Sequence, residues 1–165
     1  MKRILLYTLF ATIAFILFVA CAARQTAAEK EAMAVYVRNA VEMSEFRFNA
    51  THAHPTGFRS LVLTAPFDVR VSPDTVRVNL PFFGRAFRAP IGIDEGGYRF
   101  TSTDFEYRVR PGNRAGNWLV QIDFNDARTH ITFHFDIWEN GAASLNIIDI
   151  DRQSISFQGN IEMNE

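Results

Sequence analysis

Two periodicities divide the chain. Between Ala27 and Ser44, Met33, Val37 and Val41 recur every fourth residue with Tyr36, Ala40 and Ser44 beside them, while Glu29, Lys30, Arg38, Asn39 and Glu42 fall mostly elsewhere. That spacing predicts one amphipathic helix over 27–44. Thr26 followed three residues later by Glu29 has the form of a capping box, in which hydroxyl and carboxylate each satisfy an open backbone amide of the first turn.

Downstream the pattern becomes an alternation. Phe46, Phe48 and Ala50 alternate with Arg47, Asn49 and Thr51, and Phe67, Val69 and Val71 alternate with Asp68 and Arg70. The turn residues Ser72-Pro73-Asp74-Thr75 interrupt this run before Val76, Val78 and Leu80 resume it, so 67–80 reads as a hairpin. Phe105, Tyr107 and Val109 lead into the turn Pro111-Gly112-Asn113; Trp118, Val120, Ile122 and Phe124 follow, then the turn Asn125-Asp126. Ile131, Phe133, Phe135 and Ile137 run into Asn140-Gly141, a strong hairpin signal, and Leu145 to Ile150 and Ser154 to Gln158 close the chain. One helix ahead of about eight or nine short strands predicts an α+β fold that is mainly β and antiparallel, in a single globular domain over 29–165. A flat sheet of that width would expose two long edges, so the expectation is a curved sheet or partial barrel with the amphipathic helix packed on it.

Ahead of the helix the pattern is of another kind. Lys2 and Arg3 precede a run from Ile4 to Ala20 that only Tyr7, Thr8 and Thr12 interrupt, a basic region followed by an apolar one. Crossing a bilayer takes about 20 apolar residues, and this run stops just short, in Phe18-Val19-Ala20-Cys21-Ala22-Ala23. A small residue immediately before a cysteine is what lipoprotein signal peptidase reads. The expectation is therefore a lipoprotein signal peptide over 1–20, a lipidated Cys21 and a tether over 21–28. Cys21 is the only cysteine, so an exported domain without a disulfide must hold together through its hydrophobic core. Acyl chains contributing ~0.8 kcal/mol per buried methylene would fix the N-terminus in a membrane.

Charge removes one class of partner. Of 17 basic residues Lys2 and Arg3 belong to the leader, and the rest face 18 acidic ones. The remaining chain is mildly acidic, which excludes nucleic-acid binding by phosphate neutralisation.

The least ordinary stretch is Leu80-Pro81-Phe82-Phe83-Gly84-Arg85-Ala86-Phe87-Arg88-Ala89-Pro90. It reads as a buried crossing segment in which Gly84 permits a bend and the rings fill core. The functional alternative is a ligand pocket for an apolar molecule or lipid, drawing on Phe83, Phe87, Trp118 and Phe135, with Arg85 and Arg88 placed to meet an anionic headgroup. Gly92, Gly96 and Gly97 share only glycine content with a phosphate loop, lacking its Lys-Ser/Thr. His52 and His54 would share a strand face about 6–7 Å apart, whereas His130 and His134, on a strand, would stand roughly 13 Å apart and could not share an ion. No metal and no cofactor is expected. Nucleophilic catalysis has no foothold either, since there is no Gly-x-Ser-x-Gly, Cys21 is consumed by its lipid, and Asp94, Glu95, Asp104, Glu106, Asp123, Asp126, Asp136, Asp149 and Asp151 are scattered.

The phrase Leu80-Pro81-Phe82-Phe83-Gly84-Arg85-Ala86-Phe87, followed by Ala89-Pro90, Gly96-Gly97 and the terminal Arg152-Gln153-Ser154-Ile155-Ser156-Phe157-Gln158-Gly159, closely resembles the Bacteroidetes family catalogued as domain of unknown function 4251 (DUF4251). The resemblance runs from the helix near Glu31 to Ile161. It implies a small exported lipoprotein of Gram-negative bacteria with the outer membrane as its destination, with which Ala22 after the cysteine agrees. The acidic cluster that accompanies surface display in that phylum is missing from Ala22–Thr26, so the expected place is the periplasmic leaflet. The resemblance brings no activity and no catalytic residues with it. The resulting expectation is a non-catalytic binding or scaffold module of the cell envelope, for an apolar ligand or lipid. The alternatives are a protein–protein interaction accessory of an envelope complex and a hydrolase with a carboxylate or histidine site.

Overall fold

The computed structural model describes residues 26–87, 96–125 and 130–162. The leader, Cys21, the tether as far as Gln25, and Arg88, Asp94, Glu95 and Asp126 lie outside these residues. The chain divides into two compact units, Met1–Glu31 and Ala32–Glu165, and the second holds every described strand. Among the described residues no helix is long and apolar enough to cross a membrane.

Helix α1 spans Ala27–Glu42. Its capping box forms as the sequence predicts: the Thr26 amide donates to Glu29 Oε2 at 2.8 Å and the Glu29 amide donates to Thr26 Oγ1 at 3.2 Å. Val37, Ala40 and Val41 are buried on one stripe. The helix stops two residues before Ser44 because its last carbonyls are taken from outside. The Glu45 amide bonds Ala40 O at 2.8 Å and the Ser44 amide bonds Val41 O at 3.3 Å, with Ser44 at φ 56°. A serine thus fills the left-handed position that glycine usually takes in this ending.

Nine strands follow: β1 (Phe46–Pro55), β2 (Leu61–Val71), β3 (Val76–Pro81), β4 (Gly97–Ser102), β5 (Phe105–Pro111), β6 (Asn117–Phe124), β7 (Ile131–Trp138), β8 (Ala142–Asp149) and β9 (Arg152–Glu162). They form one antiparallel sheet in the order β4-β3-β2-β1-β9-β8-β7-β6-β5. Every neighbouring pair is consecutive in sequence except β1 and β9, which join two meanders across the length of the domain. The two edges, β4 and β5, are themselves consecutive. The Phe100 ring of β4 meets the Phe124 ring of β6 edge to face at 5.1 Å across the interior, drawing the β4 end of the sheet toward the β5–β6 end into a nearly closed barrel.

The inward alternation fills the interior with rings. Phe135 meets Phe46 at 5.7 Å, Phe48 at 5.6 Å and Phe133 at 6.3 Å, and Phe133 meets Phe124 at 5.0 Å. Edge-to-face pairs of this kind contribute roughly 0.5–1.5 kcal/mol each beyond the area they bury. Tyr107 on β5 ties α1 to the sheet by donating its hydroxyl to Val41 O at 2.6 Å.

Two strand features were not legible in the periodicity. β4 begins at Gly97, directly after Gly96, and a Cβ on Gly97 would come within 2.3 Å of Leu80 O; the glycine serves a close strand approach. β2 begins at Leu61, six residues ahead of Phe67, because pairing of Leu61 and Val62 with Ala53 and His52 holds it, not inward burial.

Arg152 fastens the start of β9. Its guanidinium lies 5.1 Å from the ring centroids of both Phe82 and Tyr98, donates to Gly97 O at 3.1 Å and stands 3.9 Å from the Asp149 carboxylate. Both charged groups are 7% accessible. The Tyr98 hydroxyl is buried beside them, and burial first, then Asp149, pushes its pKa up.

Two outcomes test these ties. Replacing Arg152 with methionine leaves the Asp149 carboxylate buried without its counter-charge and lowers the unfolding free energy by about 3 kcal/mol, read by urea denaturation. Burial raises the Tyr107 pKa above its ordinary value. The unfolded phenol therefore ionises first, and stability is full below about pH 10 and falls as pH climbs toward the folded pKa. Tyr107→Phe costs about 1 kcal/mol at neutral pH and flattens that alkaline loss, measured as Tm against pH.

Candidate functional site

The two sequence segments that carry the family resemblance meet in space. Beyond β3 the chain runs alongside the start of β9: the Gln153 amide donates to Arg85 O at 2.9 Å, Ala86 bridges Arg152, and the Phe87 amide donates to Asp151 O at 2.7 Å. The Gln153 side chain then reaches from Arg85 N, 3.4 Å from its Oε1, to Thr56 O, 3.2 Å from its Nε2. Thr56 returns a bond from Oγ1 to Ser154 O at 2.8 Å. One end of the barrel is thus built from three chain segments laced together by backbone and amide bonds.

This lacing corrects the expectation of a buried crossing segment. Leu80 and Pro81 are buried and Phe82 is half-buried against Tyr98, 5.8 Å between centroids. Beyond them the segment turns outward: Phe83 is 38% and Phe87 66% exposed, and Arg85 is exposed. The backbone hydrogen bonds that a buried loop would lack are instead made along the rim.

The six pocket candidates do not converge. Phe83, Arg85 and Phe87 stand at the rim, and Arg88 lies outside the described residues. Phe135 is buried among Phe46, Phe48 and Phe133 in the barrel interior. Trp118 packs half-buried on β6 beside Ile137, whose row continues through Ala143 to Gly159 on β9. Gly159 and Arg152 are seven residues apart on that strand, a span of about 23 Å.

What the rim does gather was missed in the sequence. Phe58, in the β1–β2 turn, is 67% exposed, and Ile150, in the β8–β9 turn directly before Asp151, is 65% exposed. Ile148 also faces outward. The available signal was the run Ile147-Ile148-Asp149-Ile150, where an apolar residue occupies a position that alternation reserves for a polar one.

One cluster of charged side chains on the outer face is engaged with itself. Arg108 pairs with Glu106 at 2.6 Å and with Asp123 at 3.4 Å, and Asp123 also accepts from Gln121 and Thr132. The hydrogen bond from Arg108 holds the Glu106 carboxyl below its ordinary range. His52 and His54 do share a face, their rings parallel and 6.4 Å apart, with Nδ1 atoms engaged by Thr51 and Ser60. Among the described residues no three of His, Cys, Asp or Glu gather around one point.

Comparison with known proteins agrees with the motifs. The family model described as domain of unknown function (DUF4251) matches residues 28–161. The fold is similar to the crystal structure of a DUF4251 family protein from Bacteroides eggerthii, with TM-score 0.59 and 13% identity, covering 80% of this chain and 88% of that one. No curated protein matches the chain. The match extends over nearly all of the described fold, and the chain belongs to the DUF4251 family.

Proposed function

We propose that this protein is a non-catalytic interaction module of the bacterial cell envelope. It is held through lipid on Cys21 at the periplasmic leaflet of the outer membrane and binds a partner protein through the apolar rim where β9 begins. The contrast between interior and rim carries this reading. A carrier of apolar ligands needs an internal space of several hundred Å³, yet Phe46, Phe48, Phe133 and Phe135 pack edge to face where that space would be. At the rim, by contrast, Phe58, Phe87 and Ile150 are each about two-thirds exposed on three segments that are bonded together. Large apolar side chains held in the open on a rigid frame favour association with another protein surface.

A non-catalytic role is supported by the same inventory. The outer-face carboxylates Glu106 and Asp123 are committed to Arg108, Gln121 and Thr132, which leaves them poorly placed as an acid–base pair. The leader sequence supports the location, through the small residue before Cys21.

Photo-crosslinking in intact cells tests the reading. A benzophenone amino acid in place of Phe87 or Ile150 is expected to give one discrete protein adduct, and the same group at Val109 on β5 none. Native mass spectrometry of protein purified without detergent is expected to show no bound lipid other than the anchor. A stoichiometric lipid adduct together with a silent rim would contradict it.

A further inference from the structure

At the other end of β9 the outer face carries a groove of about 410 Å³. Its shape begins in the backbone. Between Ala50 and His52 the register of β1 slips: against β9 Thr51 is an extra residue and β1 bulges, while against β2 the unpaired residues, 63–66, lie on β2. Gly159 pairs with Ala50 at that point, and a Cβ on it would come within 1.8 Å of Asn49 O. Only glycine allows the two strands to approach so closely. On the outward row Ala142 of β8 is small, and Ala143 and Gly159, whose side-chain positions face the interior, contribute only backbone to the floor of the trough.

The walls are polar and aromatic. Trp138, the last residue of β7, and His52 on β1 bracket the groove in the strand order, with Ser144 of β8 and Gln158 and Asn160 of β9 between them. Arg114, which does not line the groove, braces the indole from 5.9 Å. Thr51 donates its hydroxyl proton to Gln158 O at 3.1 Å, so at 3.0 Å from His52 Nδ1 it can only accept. That places a proton on Nδ1 and presents Nε2 as an acceptor when the ring is neutral. The side chains of Ser144, Gln158 and Asn160 make no hydrogen bond to other described residues.

No carboxylate, ammonium or guanidinium lines this site. Its chemistry is one aromatic ring together with amides and hydroxyls that both donate and accept. A sugar ring offers the counterpart: hydroxyls that both donate and accept, and a C–H face that lies against an indole. The lining itself offers no counter-charge to phosphates, uronates or peptide termini, and the nearby Arg114 guanidinium lies over the Trp138 ring. The volume falls in the range of small-ligand sites, roughly 300–1,000 Å³, and the lining side chains stand on strands or a strand end, which hold them in place. We infer that this groove binds a neutral carbohydrate of one or two sugar rings, with Trp138 as the stacking platform and Gln158 and Asn160 as the hydroxyl readers.

The test uses the full mature chain carrying Trp118→Phe, so that fluorescence reports Trp138 alone. Maltose, cellobiose, xylobiose, N,N′-diacetylchitobiose and mannobiose are titrated, with digalacturonate as the charged comparison. At least one neutral disaccharide is expected to change the emission along a saturable curve, and digalacturonate to bind at least tenfold more weakly. Gln158→Ala and Asn160→Ala, both at exposed positions, are expected to weaken that binding at least tenfold while leaving the circular dichroism spectrum unchanged. No saturable response to any of the five, equal binding of digalacturonate, or undiminished binding in the folded Gln158→Ala and Asn160→Ala proteins would overturn the assignment.

Discussion

The pairing of the first strand with the last holds the rest of the structure in place. Each half of the sheet is a meander of consecutive hairpins, which local turns can assemble without help. The β1–β9 pairing, by contrast, brings together Arg47 with Glu162 and Pro55 with Ile155, so it closes nearly the whole chain into one loop. Closing so long a loop costs entropy before any contact offsets it. The compensation is local to these strands: Phe46, Phe48, Ala53, Ile155, Phe157 and Ile161 are all buried along them. With β1 and β9 joined, the sheet can coil until β4 meets β5; without them there would be two open sheets with four edges.

The two surfaces argued to bind something both grow from those strands. At the start of β9, Arg152 and Gln153 gather β4, the segment after β3 and the β1–β2 turn, and the apolar rim is the outer side of that gathering. Toward its end, Gly159 accommodates the bulge of β1, and the polar groove is the result. Because inward positions are spent on ring-to-ring packing, recognition is left to the rims and outer face.

The architecture was legible because alternation reports burial directly. Phe46, Phe48, Val69, Val71, Phe133 and Phe135 point inward as their spacing requires, and the Thr26–Glu29 cap marks where α1 starts. Neighbour relations were not legible: alternation fixes faces, and nothing in β1 or β9 alone announces the other. The segment after β3 departs from its expected burial for a related reason. Phe83 and Phe87 suggested burial by composition, but Arg85 and Phe87 are held by backbone bonds to β9 that leave their side chains outside. The groove left one trace, a glycine within the strand pattern Ser156-Phe157-Gln158-Gly159, which signals close backbone approach and not what gathers beside it.

Amide hydrogen exchange across the whole chain measures the central claim directly. If the β1–β9 pairing holds the two meanders together, the amides of Asn49, Gln158 and Asn160, which alternate with the Ile161 amide bonded to Gly141 O and so face the β1–β9 seam, exchange in the slowest class, at the free energy of global unfolding. If β5–β8 stay protected while β1 and β9 exchange through a cheaper opening, the halves stand independently and the account is wrong.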